Sequence, residues 1–221
     1  MLILARYGEL GLKSNQIKKK FEKKLVENLK EQLTEFNCKI KCEFSRIFIE
    51  AKEKNAKVFE KIKNTPGIVS FSEVEKTDLE LENMLKKCSK FIKKEHSKTF
   101  GLRITRAGIH EFTSQEIAIK LGDLIREKYN LKVNLTNPDL WIYIEIRNRE
   151  SFIFTEKIKC IGGLPVGIEG NIFSFIETEL DAYSSILMMK RGCKIFPITS
   201  KKISNRQIEF LELLKKYDSF C

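Results

Sequence analysis

Between Asn171 and Gly192 the chain carries an apolar run (Ile172, Phe173, Phe175, Ile176), the loop Glu177-Thr178-Glu179-Leu180-Asp181-Ala182, and a helical stretch through Met188 and Met189. Strand, loop and helix in that order form the entry of a nucleotide-binding α/β domain. In such an entry, small loop residues let backbone N–H groups and the helix N-terminus cradle phosphate. Here Glu177, Glu179 and Asp181 put three carboxylates where a polyphosphate would sit, and the loop holds no glycine. A degenerate nucleotide loop is expected, with no cofactor.

Other catalytic chemistry finds little support. His96 and His110 are the only histidines, and neither pairs with a nucleophile in a recognisable spacing. The six cysteines (Cys38, Cys42, Cys88, Cys160, Cys193 and Cys221) form no CxxC pair and no Cys/His cluster, which argues against zinc. Cys38 and Cys42 lie on one face of an expected strand but roughly 13 Å apart, too far for a shared metal or a disulfide. Reduced, buried thiols are expected, with no metal and no catalytic residue.

The 221 residues carry a formal charge of +11 and a pI near 9.3. That balance favours a polyanionic partner, although Lys- and Glu-rich chains with few histidines are also typical of thermophiles. Basic side chains near ordered turns are the natural phosphate contacts. Arg6 and Lys13 flank the first strand–helix turn, with Lys18, Lys19 and Lys20 beyond them on a helix. Arg103 and Arg106 lie on or just past a strand, Arg106 at the loop mouth, with Lys120 and Arg126 on the following helix and Arg147 ending another strand. Tyr7, Phe112 and Trp141 are candidates to stack on unpaired bases. For Trp141, inside a strand run, core or interface packing is the stronger reading. No apolar run reaches 18 residues and no signal peptide precedes the first strand, so a soluble, cytoplasmic protein without a membrane partner is expected.

Three segments must position these residues. Strand 2–7, a helix capped by Ser14, a hairpin turning at Ser45, helix 54–63 and strand 68–74 give the order β-α-β-β-α-β, a ferredoxin-like unit with both helices on one face. Helix 79–94, strand 99–106, a helix from Ser114 to Tyr129, and strands at 133–135, 140–146 and 151–155 make a second α/β segment. Residues 171–221 offer only β-α-β-α, too little to close a doubly wound sheet of about 100 residues or more. This tail must pack on the second segment, pair with another chain or stay mobile, and a homodimer is preferred.

The whole arrangement resembles the ThiI family of tRNA 4-thiouridine synthases. The resemblance rests on three blocks in family order. Ala5-Arg6-Tyr7-Gly8-Glu9-Leu10-Gly11-Leu12-Lys13-Ser14-Asn15 is similar to the family's RYGEIxLKGxN opening. Phe100 to Ala107, Phe112 to Ile117, Asn137-Pro138-Asp139 and Ile144 to Arg147 look like a THUMP domain. Gly162-Gly163-Leu164-Pro165-Val166-Gly167 and Leu187 to Gly192 look like the linker and first βα unit of the ATP-pyrophosphatase domain. Counting from the linker, Glu177, Thr178 and Glu179 fall on the Ser-Gly-Gly of the family's SGGxDS loop, and only Asp181 matches. The family's catalytic cysteine has no counterpart here.

The resemblance implies an α+β protein: a ferredoxin-like domain (1–76), a THUMP domain (77–156), a Gly-rich linker (157–170) and a truncated Rossmann-like remnant (171–221). It implies tRNA as partner, held at its acceptor end by Lys13, Arg103, Arg106 and Arg147, with Arg6 behind them, and without catalysis by this chain alone. Two alternatives stay open: the RNA-binding subunit of a split synthase with a separate ATP-binding thiolation chain, or a protein–protein adaptor.

Overall fold

Apolar residues spaced three and four apart from Phe21 to Leu33 make the first helix one-sided, and that stripe sets the first layer. A computed structural model describes residues 1–8, 14–52, 54–95, 97–200, 202–219 and 221. The chain divides into two units, one of residues 3–71 with 158–221 and one of residues 72–157.

In the first unit, β1 (Leu2–Tyr7), α1 (Asn15–Gln32), β2 (Lys39–Glu43), β3 (Arg46–Glu50), α2 (Ala56–Asn64) and β4 (Ile68–Glu73) follow the expected order. The strands lie side by side as β4-β1-β3-β2. Phe21, Leu25 and Leu29 of α1 and Val58 and Ile62 of α2 bury against Ile3, Ala5, Ile47, Ile49 and Phe71. Asn55 caps α2 by accepting from the Lys57 amide at 2.9 Å. Phe44 and Ser45 turn the hairpin with φ of 51° and 59°. Two successive left-handed residues are what a two-residue turn needs to follow the strand twist, and a bulky phenylalanine is a costly choice there.

The second unit holds β5 (Glu75–Thr77), α3 (Leu81–Glu95), β6 (Thr99–Ala107), α4 (Ser114–Tyr129), β7 (Lys132–Val133), β8 (Leu140–Arg147) and β9 (Glu150–Phe154). Their order is β5-β9-β8-β6-β7, with β6 parallel to β7 and β8 and with β9 antiparallel to β8 and β5. Leu140, Ile142, Ile144 and Ile146 of β8 bury with Met84, Leu85, Cys88 and Ile92 of α3 and Ile117, Leu121 and Ile125 of α4. Thr113, not Ser114, caps α4: its hydroxyl accepts from the Glu116 amide while the Glu116 carboxylate accepts from the Thr113 amide. β5, three residues long and polar, leaves no periodic signal in the sequence.

Residues read as a linker are hydrogen-bonded structure. β10 (Ile158–Lys159) adds to β4, antiparallel, pairing Ile158 with Phe71. Gly162 then exchanges backbone bonds with Ile68 and Gly67, and the Leu164 amide donates to the Lys190 carbonyl at 2.9 Å. At Gly163 a Cβ would meet that carbonyl oxygen at 2.2 Å, so only glycine lets the two segments close up. β11 (Asn171–Phe175), α5 (Glu179–Lys190), β12 (Lys194–Ile198) and α6 (Asn205–Lys215) complete the chain, with β11 parallel to β12. Val166, Ile176, Ile186, Met189, Ile195, Phe210 and Leu214 form their core. This tail shares a unit with residues 3–71, whereas docking on the second segment was one of the three alternatives that the sequence left open for it. Phe173, Phe175 and Phe196, 73%, 67% and 39% exposed, lie on the face opposite that core.

Replacing Phe44, itself largely exposed, by asparagine should stabilise the first unit by about 0.5–1 kcal/mol, because asparagine tolerates positive φ. Urea unfolding followed by a probe in this unit checks it. An unchanged midpoint would show that the turn carries no strain.

Candidate nucleic-acid interface

Alternation along β8 puts Trp141, Tyr143, Glu145 and Arg147 on the sheet face that α3 and α4 leave uncovered. In register beside them, β6 places Gly101 opposite Trp141 and Arg103 opposite Tyr143. The Arg103 guanidinium lies 4.2 Å from the centre of the Trp141 ring. The turn before β8 is pinned by side chains. Asn134 accepts from the Thr136 and Asn137 amides, and Asp139 accepts from the Lys98 and Thr99 amides and the Thr99 hydroxyl. These bonds hold the Asp139 carboxyl below the usual carboxylate range.

At the far end of the same strands, Arg106 is exposed and lies within β6 rather than in the loop beyond it. Arg106 and Lys120 add a positive field at Glu116, whose carboxyl is lowered first by the Thr113 amide and hydroxyl. His110 Nε2 lies 2.8 Å from the Asn148 carbonyl, and its ring packs on Phe112 at 5.1 Å. This contact ties the β6–α4 loop to the β8–β9 turn. It also gives Phe112 a packing role, half-buried against the core, rather than an open stacking face. Arg147 donates to the Glu145 carboxylate at 3.0 Å, both side chains largely buried. Arg149, exposed in the β8–β9 turn, was missed in the sequence, where it is one more basic residue in a polar run. Its proximity to Arg147 at a strand end is the signal that points to it.

Two candidates in the first unit are placed differently. Arg6 is 8% exposed within β1, which leaves little of it to meet a phosphate. Tyr7 is also buried, and its hydroxyl donates to the Glu22 carboxylate. Burial first, then that carboxylate, push the hydroxyl well above its ordinary range. Lys13 and His96 lie outside the described residues. Lys18 donates to the Ser45 hydroxyl, while Lys19 and Lys20 face solvent.

The loop before α5 is closed by its own side chains. Asp181 Oδ2 accepts from the Glu177 amide at 3.2 Å and from the Thr178 amide and hydroxyl at 2.8 Å each. The Thr178 hydroxyl accepts in turn from the Asp181 amide. These bonds hold the Asp181 carboxyl below its usual range, and they occupy amides that a phosphate would need. A cavity of about 610 Å³ beside the loop is lined by Glu177, Glu179, Tyr183, Arg206 and Phe210. Arg206, from α6, is a cation the loop sequence did not reveal.

Burial pushes the Cys42 thiol up to about 11 and the Cys88, Cys160 and Cys221 thiols to about 12. At neutral pH they are inert thiols. Among the described residues no cluster of His, Cys, Asp or Glu is placed to hold a metal. Nor is any helix among them long and apolar enough to cross a membrane.

Residues 2–72 match the ThiI ferredoxin-like domain, and residues 78–156 match the THUMP domain. PH1313 from Pyrococcus horikoshii is 33% identical in sequence and superposes with a TM-score of 0.85, covering 98% of this chain and 75% of that one. The chain belongs to the ThiI family. Probable tRNA sulfurtransferases of Methanobrevibacter smithii and Methanocaldococcus jannaschii are 35% and 34% identical to it over 98% and 99% of its length. The chain spans 60% and 61% of those two relatives. A 4-thiouridine synthetase solved as an RNA complex with bound ATP superposes with a TM-score of 0.75 at 27% identity, covering 97% of this chain and 58% of that one.

In this ThiI-family chain the Thr113–Glu116 cap lies in the field of Arg106, near the end of β6, and of Lys120 on α4. Its folded carboxyl titrates below the usual range, so its stabilisation is complete above the unfolded value and disappears as pH falls through the folded one. The first-turn amides of α4 should therefore lose hydrogen-exchange protection on acidification, and Glu116→Gln should flatten that dependence. Equal acid sensitivity in the variant would assign the effect to another group.

Proposed function

We propose that this chain binds tRNA, holding its acceptor end through the THUMP domain, and does not itself carry out ATP-dependent thiolation. What carries the reading is the set of exposed cations on the THUMP domain: Arg103 on the open face of its sheet, Arg106 near the end of β6, Arg149 in the β8–β9 turn and Lys120 on α4. Exposed guanidinium and ammonium groups on rigid strands and helices suit phosphates, whose contacts position an RNA without reading its sequence. The net charge of +11 agrees, and the RNA-bound relative supports RNA as the polyanion. Arg147 contributes indirectly, by its pair with Glu145 at the base of the β8–β9 turn. Arg6 is buried in β1 and is set aside from the contact set.

About four to six phosphate contacts imply a log–log salt slope of roughly −3 to −5 for tRNA binding. Arg106→Ala and Lys120→Ala should each weaken binding and make the slope shallower by about one, with the melting temperature unchanged. Salt-independent binding, or variants that bind like the parent, would remove the proposed interface.

The non-catalytic part of the reading rests on the α5 loop. Asp181 already accepts from the amides there, and Glu177 and Glu179 oppose an incoming triphosphate with Arg206 as the facing cation in the cavity. Calorimetry should detect no micromolar ATP binding. Micromolar binding abolished by Arg206→Ala would establish a working nucleotide site instead.

One observation favours a second reading, in which the chain is the RNA-binding part of a larger assembly. Phe173, Phe175 and Phe196 leave an aromatic face uncovered on the β11–β12 pair. A separate ATP-binding chain or a second copy of this chain would cover it. Light scattering at tens of micromolar distinguishes the homodimer from a monomer awaiting a different partner.

A further inference from the structure

The open face of the THUMP sheet carries more than cations. Trp141 lies against β6 where residue 101 has no side chain: a Cβ there would come within 2.6 Å of the ring and 2.9 Å of the Asn134 carbonyl. A glycine inside a strand weakens it, and here the gap seats the indole beside the strand. Trp141 and Tyr143 lie 6.3 Å apart, and Tyr143 stacks on Phe154 at 5.5 Å with ring planes 12° apart. Two cations rest on this row: Arg103 at 4.2 Å from the Trp141 ring and Lys157 at 4.6 Å from Tyr143. Trp141 and Tyr143 remain partly exposed, and Arg103 and Lys157 are exposed. Of the core or interface packing expected for Trp141, core packing does not describe this position, because the α3–α4 core of this unit lies on the other face of the sheet.

We propose that Trp141 and Arg103 form a stacking site for one unpaired nucleobase of the bound RNA; this rests on the RNA-binding reading above. The chemistry is an exchange. Stacking a base on an aromatic ring is worth more than an exposed cation–π contact, so a base can take the place of the guanidinium on the indole. Arg103, released by a rotation about its own side chain, then pairs with the phosphate of the same nucleotide. Lys157 above Tyr143 offers the next phosphate a second cation along the row. Duplex RNA cannot use such a site, because its bases are stacked inside and its minor groove presents hydroxyls and base edges. The site therefore selects a single-stranded end or loop, with little preference for base identity.

Trp141 is the only tryptophan in the chain, so its fluorescence reports this site alone. The full-length protein is titrated with an RNA hairpin bearing a short single-stranded 3′ overhang and with the same hairpin made blunt. Saturable quenching is expected with the overhang RNA and none with the blunt one. Trp141→Ala should weaken binding of the overhang RNA about tenfold or more and leave the blunt RNA unaffected. Trp141→Phe, which keeps an aromatic plane, should lose only a few-fold, and this variant carries the test if the alanine form does not fold. Arg103→Gln should weaken the overhang RNA and make its salt slope shallower by about one. Unchanged fluorescence on binding, a parent protein that shows no preference between the two RNAs, or a Trp141→Ala protein that keeps the parent's preference for the overhang RNA overturns the stacking site. Arg106→Ala separates the two readings, since it should weaken both RNAs alike. Loss there with an indifferent Trp141 keeps the RNA interface and removes the stacking site, and a parent protein that binds neither RNA removes both.

Discussion

The second unit depends on a single alternation in β8. Leu140, Ile142, Ile144 and Ile146 bury beneath α3 and α4, and a side-chain period of two sends Trp141, Tyr143, Glu145 and Arg147 to the opposite face. Burying one such aliphatic side chain is worth about 1.5–3 kcal/mol, so a slip of one residue would forfeit roughly 6–12 kcal/mol across the four. That is comparable with the whole stability of a domain. The register cannot drift, and the place of Trp141 beside Gly101, and of Arg103 beside Tyr143, follows from it.

Close backbone approach is the second constraint. At Gly163 the connecting segment runs against the Lys190 carbonyl, and at Gly101 the indole runs against β6. In both places the missing side chain is what allows the contact. The first joins the tail to the ferredoxin-like half through the Leu164 and Gly162 backbone bonds, and the second makes room for an aromatic plane. The residues from 158 to 170 are therefore part of the first unit's architecture, with Ile158 and Lys159 adding a strand to β4.

Electrostatics divides the chain into two kinds of helix entry. Ahead of α4, Glu116 satisfies the Thr113 amide while Arg106 and Lys120 stand near it, so the surroundings of the cap are positive. Ahead of α5, Asp181 satisfies the Glu177 and Thr178 amides with Glu177 and Glu179 beside it. The same capping chemistry thus sits in opposite fields.

Periodicity, capping residues and turn chemistry were enough to place nearly every long element, because these are local properties of the chain. The α1 stripe, the hairpin turning at Ser45 and the strand over residues 140–146 were all legible in the residue order, although the part of Phe44 in the turn and the two faces of β8 were not. So were the family and the basic character of the THUMP segment, since Arg103, Arg106 and Lys120 needed only their residue types to be noticed. What the order of residues left undecided was exposure and partnership. Arg6 and Arg106 look alike in sequence, yet the former is buried in β1 and the latter is open at the end of β6. Arg147 reads as a phosphate contact and Glu145, two residues before it, as a member of an ion pair, and only the fold joins the two; Tyr7 reads as a base-stacking ring, and only the fold puts its hydroxyl on Glu22. β5 and β10 were invisible because strands of three and two residues are specified by the neighbours they pair with. Local sequence determined the elements and their faces; only the packing of those elements decided which polar groups met each other and which were left to meet a ligand.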